Sequence, residues 1–206
     1  MEQSQNYRGY IPFNTRLYAE HQRGKGDKGF QLHLDDQQHY DRPPDASESF
    51  QIHRELPSND PNVLAGKPLH GPNQWPDACP LMRSTLLEYY AAAALFSHLV
   101  LEVFALGLGL RRDFFSAFYR NPLMQLRLMH YPNHEPGENV PFGVRPHCDA
   151  DAFSMLIQDN VGGLEIYDKS GCWVPVEPIE HAFVVNIGDT LKLWTNNRFQ
   201  STRHRV

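Results

Sequence analysis

Hydrophobic and polar positions change rhythm twice along the chain. Residues 1–80 show no sustained periodicity, and proline recurs at 12, 43, 44, 57, 61, 68, 72, 76 and 80. That density breaks helices and removes strand donors, so a loop layer without long regular elements is expected. Loops of this length in a compact domain are usually functional. From Pro80 the pattern becomes helical, in LMRSTLLEYYAAAALFSHLVLEVFALGLGL. Leu86, Tyr89, Tyr90, Ala93 and Leu101 recur at helical spacing and the alanines favour helix. Pro80 suits a first turn, and Gly107 and Gly109 offer a stop. A second, short helix is expected through RRDFFSAFYR, ending before Asn121-Pro122.

Beyond Leu123 the pattern is that of short strands between turn signals. The candidates are MQLRLMHY, the segment around His147, FSMLIQD, LEIY, CWVPV, AFVVNI, LKLW and STRHRV. Gly162-Gly163, Asp168 to Gly171, Gly188-Asp189 and Asn196-Asn197 punctuate them with residues that tolerate tight turns. Closing such strands into a double-sheet jelly roll removes exposed edges. The predicted fold is therefore mainly β with a helical annex. Residues 1–80 form a loop-rich segment over the active-site side, 81–122 give one long and one short supporting helix, and 123–206 form the jelly-roll core.

Composition narrows the function classes. With 206 residues, 41% hydrophobic and 21% charged, the chain reads as a soluble globular protein with one full core. A net charge of -5 provides no footprint for nucleic acid. Cys79, Cys148 and Cys172 lack C-x-x-C spacing and read as free thiols, which together with an N-terminus lacking an apolar run predicts a cytoplasmic protein. Ser97, His98 and Glu102 within Ala91 to Leu110 favour a buried soluble helix over a membrane span. Trp173 and Trp194 are expected to fill the core or cover a sheet, Asn186 and Asp189 to hold backbone groups, and His181 to occupy a solvent-side turn.

The candidate chemistry is metal binding. RPHCDAD contains H-x-D, and residues two apart on a strand share a face, so His147 and Asp149 could address one ion while Cys148 faces away. His204, 57 positions later in STRHRV, would complete two histidines and a carboxylate. That donor set is the facial triad of non-haem iron(II) oxygenases, with positions left open for substrates. Zinc-dependent hydrolysis fits less well, because no candidate general base accompanies the triad.

The run from RPHCDADAFSMLIQDNVGGLEIY through CWVPV and AFVVNIGD to STRHRV resembles the iron(II)- and 2-oxoglutarate-dependent dioxygenases, in particular the isopenicillin N synthase-like branch. RGYIPFN, RELPSNDP, LHGPNQWP and LRLMHYP extend the likeness over most of residues 7 to 206. The resemblance implies a jelly roll whose His147, Asp149 and His204 hold Fe(II). It implies a reaction that consumes O2 and decarboxylates 2-oxoglutarate while a small organic molecule is hydroxylated, desaturated or cyclised. Tyr131 matches a tyrosine that approaches 2-oxoglutarate, and Arg127 an arginine that points into the site in some relatives.

The resemblance stops short at both ends. Relatives in this branch begin with an additional N-terminal region and continue past H-R-V into a strand carrying Arg-x-Ser, whose arginine pairs with 2-oxoglutarate. Arg203 and Arg205 flank the ligand and do not replace it. On this reading the jelly roll is incomplete at its last strand, and His204, at a terminus, is expected to fray. The competing function is a non-catalytic remnant that binds metal weakly or serves only as a binding module. Neither the oxidised substrate nor the oligomeric state is written in the sequence.

Overall fold

The structure, a computed structural model, describes residues 7–13, 45–133 and 141–206. The prolines at 43 and 44 lie outside them. The chain divides into two compact units, one of residues 1–12 with 48–130 and one of 13–47 with 131–206.

In the first unit, strands β1 (Gly9–Ile11), β2 (Glu48–His53) and β3 (Gln125–His130) form an antiparallel sheet with β2 in the middle. The loop-rich segment thus supplies the central strand. Period-two alternation sends Phe50 and Ile52 to one face, where they cluster with Leu86 and with Trp75, Met82 and Leu126. Ser49, Gln51 and His53 point to the other face and are equally buried. A side-chain network serves the end of β2. The Asn73 amide accepts from His53 N at 3.0 Å and donates to His53 O at 2.8 Å, as a neighbouring strand would. The buried Arg8 guanidinium donates to Asn73 Oδ1 at 2.5 Å and to Leu69 O at 3.0 Å. His53 donates through Nε2 to Tyr7 O at 3.3 Å. Burial first, and the charge of Arg8 second, push its pKa down to about 4.

The short helix α1 (Pro61–Leu64) starts at Asp60, whose carboxylate accepts from Asn62 N. The long helix α2 (Met82–Gly107) forms as predicted and stops at Gly109. There φ is +74°, Gly109 N donates to Leu106 O, and Leu110 N donates to Ala105 O. These two bonds are the Schellman closure that a glycine beyond the last turn permits. One expectation is corrected along α2. Leu86, Ser97, Leu101, Phe104 and Ala105 are buried, but Leu95, Leu99, Val103 and Leu106 are exposed. The helix is apolar around its whole circumference, so its sequence does not tell which face is covered. By length and composition it is also long and apolar enough to cross a membrane.

The expected second helix is not formed either. Residues 111–120 run as successive turns closed by bonds such as Phe114 N to Arg111 O and Phe118 N to Phe115 O. Arg111 and Arg112 are drawn to Asp113 and Glu102 on the surface.

Among its described residues, the second unit holds two small antiparallel sheets. Strand β4 (Phe153–Leu156) pairs with β7 (Val184–Ile187), and β5 (Glu165–Tyr167) lies between β6 (Trp173–Pro175) and β8 (His204–Arg205). The β5–β6 turn falls where predicted. Asp168 Oδ1 accepts from Ser170 N and Cys172 N, and Gly171 takes φ +82°. Asn196, Asn197 and the exposed His181 also adopt positive φ, as their turn positions required. LKLW, read as a strand, is instead the helix α3 (Asp189–Trp194). Leu191 is fully buried while Leu193 and Trp194 are exposed, so the alternation of large and polar residues did not signal a pleat. Trp194 is accordingly not a core residue. Trp173 is half-buried beneath the Arg205 guanidinium, which sits 4.2 Å from the ring centre.

Candidate metal centre

His204 enters the site on β8, held on both sides by backbone. Ile166 on β5 is its partner on one edge. On the other, His147 N donates to His204 O at 3.0 Å and His204 N donates to His147 O at 2.9 Å. Val144 and Val206 repeat this exchange at 3.1 and 2.9 Å. Fraying was expected of His204; pairing on two edges leaves it only 5% exposed. His147 lies in that isolated bridge, not in a regular strand, and Asp149 follows in a loop.

The Asp149 loop is clamped from the start of α3. Gly188 N donates to Ala152 O at 3.0 Å, Asp189 N to Asp149 O at 2.8 Å and Thr190 N to Asp151 O at 3.3 Å. The Thr190 hydroxyl adds a 2.6 Å bond to Ala150 O. Three backbone N–H groups and the Thr190 hydroxyl therefore hold the four successive carbonyls of the DADA segment.

These constraints bring together His147, Asp149 and His204, with one ligand atom from each lying within 4.8 Å of the others. Asp149 Oδ1 is 3.5 Å from His147 Nε2 and 3.6 Å from His204 Nε2. Both imidazoles contact the carbonyl two residues earlier through Nδ1, at 2.7 Å to Arg145 O and 3.0 Å to Thr202 O. A carbonyl only accepts, so Nδ1 carries hydrogen in each ring. In the neutral form Nε2 then bears the lone pair, turned toward Asp149. Among the described residues, Asp149 Oδ2 is buried with no hydrogen-bond partner.

The protonation states follow from the surroundings. Burial works against the Asp149 carboxylate, but His147, His204 and Ser154 together hold its pKa below the usual value. Burial likewise opposes charge on His147, yet Asp149 and the Arg145 carbonyl outweigh it and raise its pKa. His204 is lowered, by burial first and by the nearby His147 second. Two nitrogen lone pairs converging on Asp149 Oδ1 in a largely buried place, beside an unpartnered Oδ2, fit a divalent transition metal.

The other predicted contacts are placed less specifically. Arg127 on β3 donates through Nε to Ser49 Oγ at 3.1 Å. Tyr131 is 38% exposed and its ring rests against Gly143. Asn186 departs from its expected backbone-holding role, since its Nδ2 lies 3.4 Å from His204 Nε2.

Residues 122–206 match the model of the 2OG-Fe(II) oxygenase superfamily. Over those residues the chain belongs to that superfamily. It is 31% identical over 202 residues to the 2-oxoglutarate-Fe(II) type oxidoreductase hxnY of Emericella nidulans, covering 95% of this chain and 58% of that protein. It is 32% identical over 213 residues to the clavatol oxidase claD of Penicillium crustosum, covering 95% and 63%. The chain thus spans a little over half the length of the curated relatives it matches. Among solved structures, a 2OG-Fe(II) oxygenase family protein from Caulobacter crescentus superposes with TM-score 0.73 at 30% identity, covering 98% of this chain and 58% of that one. A full-length Neurospora crassa protein solved in complex with alpha-KG gives TM-score 0.72 at 28% identity, covering 98% and 56%. These likenesses place the fold with the double-stranded β-helix oxygenases, and the cofactors of the superfamily are Fe(II) and 2-oxoglutarate.

Proposed function

We propose that the chain carries the metal-binding part of an oxygenase in which His147, Asp149 and His204 hold Fe(II). The reaction would couple oxidative decarboxylation of 2-oxoglutarate to hydroxylation, desaturation or cyclisation of a small organic molecule. The observation that supports this reading best is the convergence of the two Nε2 lone pairs on Asp149 Oδ1, with the carboxylate's other oxygen buried and unpartnered among the described residues. Clavatol oxidase, by its name, and the Neurospora crassa protein, by its complex with thymine, are relatives that handle small molecules, and that substrate class is carried over here.

Fe(II) bound by this triad would supply O2 activation, with coordination positions left for a bidentate keto acid. The protein residues do the positioning. Asp149 remains ionised at neutral pH, and His204 is kept neutral by burial. An ion binds His147 Nε2 only when that nitrogen is unprotonated, and the Arg145 carbonyl keeps the ring in the ligating tautomer.

Anaerobic titration with Fe(II) and 2-oxoglutarate tests the reading. The charge-transfer absorption of an iron–keto-acid chelate should appear and should vanish in His147→Ala and Asp149→Ala. Absorption that never appears, or that survives both substitutions, refutes the assignment. Absorption without succinate release on adding O2 would instead identify a binding module that does not turn over.

A further inference from the structure

The exposed side of α2 has a spacing of its own. Ala92, Leu95, Leu99, Val103 and Leu106 all face outward, the last four between 51 and 73% exposed. Their steps of three, four, four and three residues average 3.5, the repeat that keeps a seam of one helix facing another. The same residues lie seven and four positions before Leu99 and four and seven after it. The stripe is therefore spaced alike in both directions, as a two-fold contact between identical chains requires. With Phe96 beside it, the stripe offers roughly 500 Å² of apolar surface, about the apolar share (~65% of ~800 Å² per partner) of a homodimer interface. That area is also near the upper end of what a monomer leaves open in one patch. A lipid surface fits less well. Membrane-surface helices flank their apolar face with lysine and arginine, whereas Glu88 continues this stripe, Glu102 borders it, and the chain carries a net charge of -5.

We infer that this face joins two copies of the chain through an antiparallel pair of α2 helices, with the two-fold axis at Leu99. Leu99 then meets Leu99 of the second copy, Leu95 meets Val103, and the small Ala92 faces Leu106. Charge agrees with this register. Eleven residues before Leu99 stands Glu88, exposed and outside every ion pair among the described residues. Eleven residues after it stands Leu110, followed by Arg111. The antiparallel pair thus brings each Glu88 alongside Arg111 of the second copy, a guanidinium that lies exposed at 2.6 Å from Asp113 within its own chain. A parallel pair in register would set Glu88 against Glu88, and like charges brought together across an interface disfavour it.

Sedimentation velocity of the 206-residue chain tests the pairing. Wild type should sediment as a dimer in reversible equilibrium with monomer. Leu99→Glu should weaken that association at least about thirtyfold, as expected of a residue at the centre of an interface. Its far-ultraviolet circular dichroism should stay that of wild type, because position 99 is exposed. Register is read by mild oxidation in a Cys79→Ser, Cys172→Ser background, which removes the two exposed thiols. Leu99→Cys should form a disulfide-linked dimer. Leu95→Cys should not, because the two copies of that position lie about 12 Å apart along the axis, beyond the ~7 Å reach of a disulfide. A chain that sediments as monomer at every concentration, a Leu99→Glu dimer as tight as wild type, or a Leu95→Cys variant that cross-links as readily as Leu99→Cys would overturn the inference. So would a monomer that floats with phosphatidylcholine–phosphatidylserine vesicles and loses them on Leu99→Glu, since a lipid surface would then occupy the face.

Discussion

Gly188→Ala should damage the metal centre without touching a ligand. The backbone there has φ -94° and ψ 172°, which any residue can adopt, so conformational freedom is not the reason for glycine. Space is. A Cβ at 188 would lie 2.0 Å from Asp151 O, 2.8 Å from its carbonyl carbon and 3.0 Å from Asp149 O. All three are backbone atoms of the ligand loop, and an ordinary carbon–oxygen approach is about 3.3 Å or more. The loop must therefore retreat by roughly 1 Å, several times the ~0.2 Å tolerance of a metal–ligand distance. The retreat also breaks two or three of the bonds from Gly188 N, Asp189 N and Thr190 N. At about 1 kcal/mol net each, the variant should lose about 2–3 kcal/mol of stability. Urea unfolding followed by circular dichroism reads that loss, and Co(II) titration should show at least a ten-fold weaker site. Thr190→Val, which removes only the hydroxyl bond to Ala150 O, should cost about 1 kcal/mol and serves as the graded comparison. An alanine variant with wild-type stability and affinity would show that the α3 start does not hold the Asp149 loop.

His53 makes stability depend on pH. Its pKa falls from 6.5 to about 4 on folding, so between those values the unfolded chain binds a proton that the native chain refuses. Stability must then fall as pH drops from 6.5 toward 4, by up to about 3 kcal/mol. Urea midpoints at pH 7 and 4.5 should diverge more for wild type than for His53→Gln; equal divergence would refute the assignment. Arg205 donates to Glu165 at 2.5 Å and lies over the Trp173 and Phe142 rings at 4.2 and 5.2 Å. Arg205→Lys keeps the charge but loses the planar stack, and should lower the melting temperature by a few degrees, about 1 kcal/mol. An unchanged melting curve would show that the stack contributes nothing.

How much of this was legible in the sequence depends on how local the physics is. The turn at Asp168 to Gly171, the positive φ of Asn196 and Asn197, and the Gly109 stop each depend on a few neighbouring residues, and each was read correctly. LKLW failed because its alternation suits a strand, while the bonds from Gly188, Asp189 and Thr190 to a loop some 40 residues earlier start a helix there. β2 was missed because both of its faces are buried and one is polar, so neither strict alternation nor an apolar run marks it. The exposed face of α2 could not be distinguished from the buried one, since both are apolar.

The metal triad stands between these cases. Its three residue types and their order are visible in the chain, but their convergence depends on the His147–His204 bridge, which no local pattern announces. Asn186 lies one step further from sequence. On a strand of valine and isoleucine it looked like a residue that would hold a nearby turn. Its place beside the site appears only when the β8 pairing carries His204 Nε2 to within 3.4 Å of its Nδ2. A ligand can be read from its chemistry and spacing, because an ion restricts which atoms can bind it. A side chain that only lies beside the ligands has no such restriction on type, and only the pairing of the strands places it there.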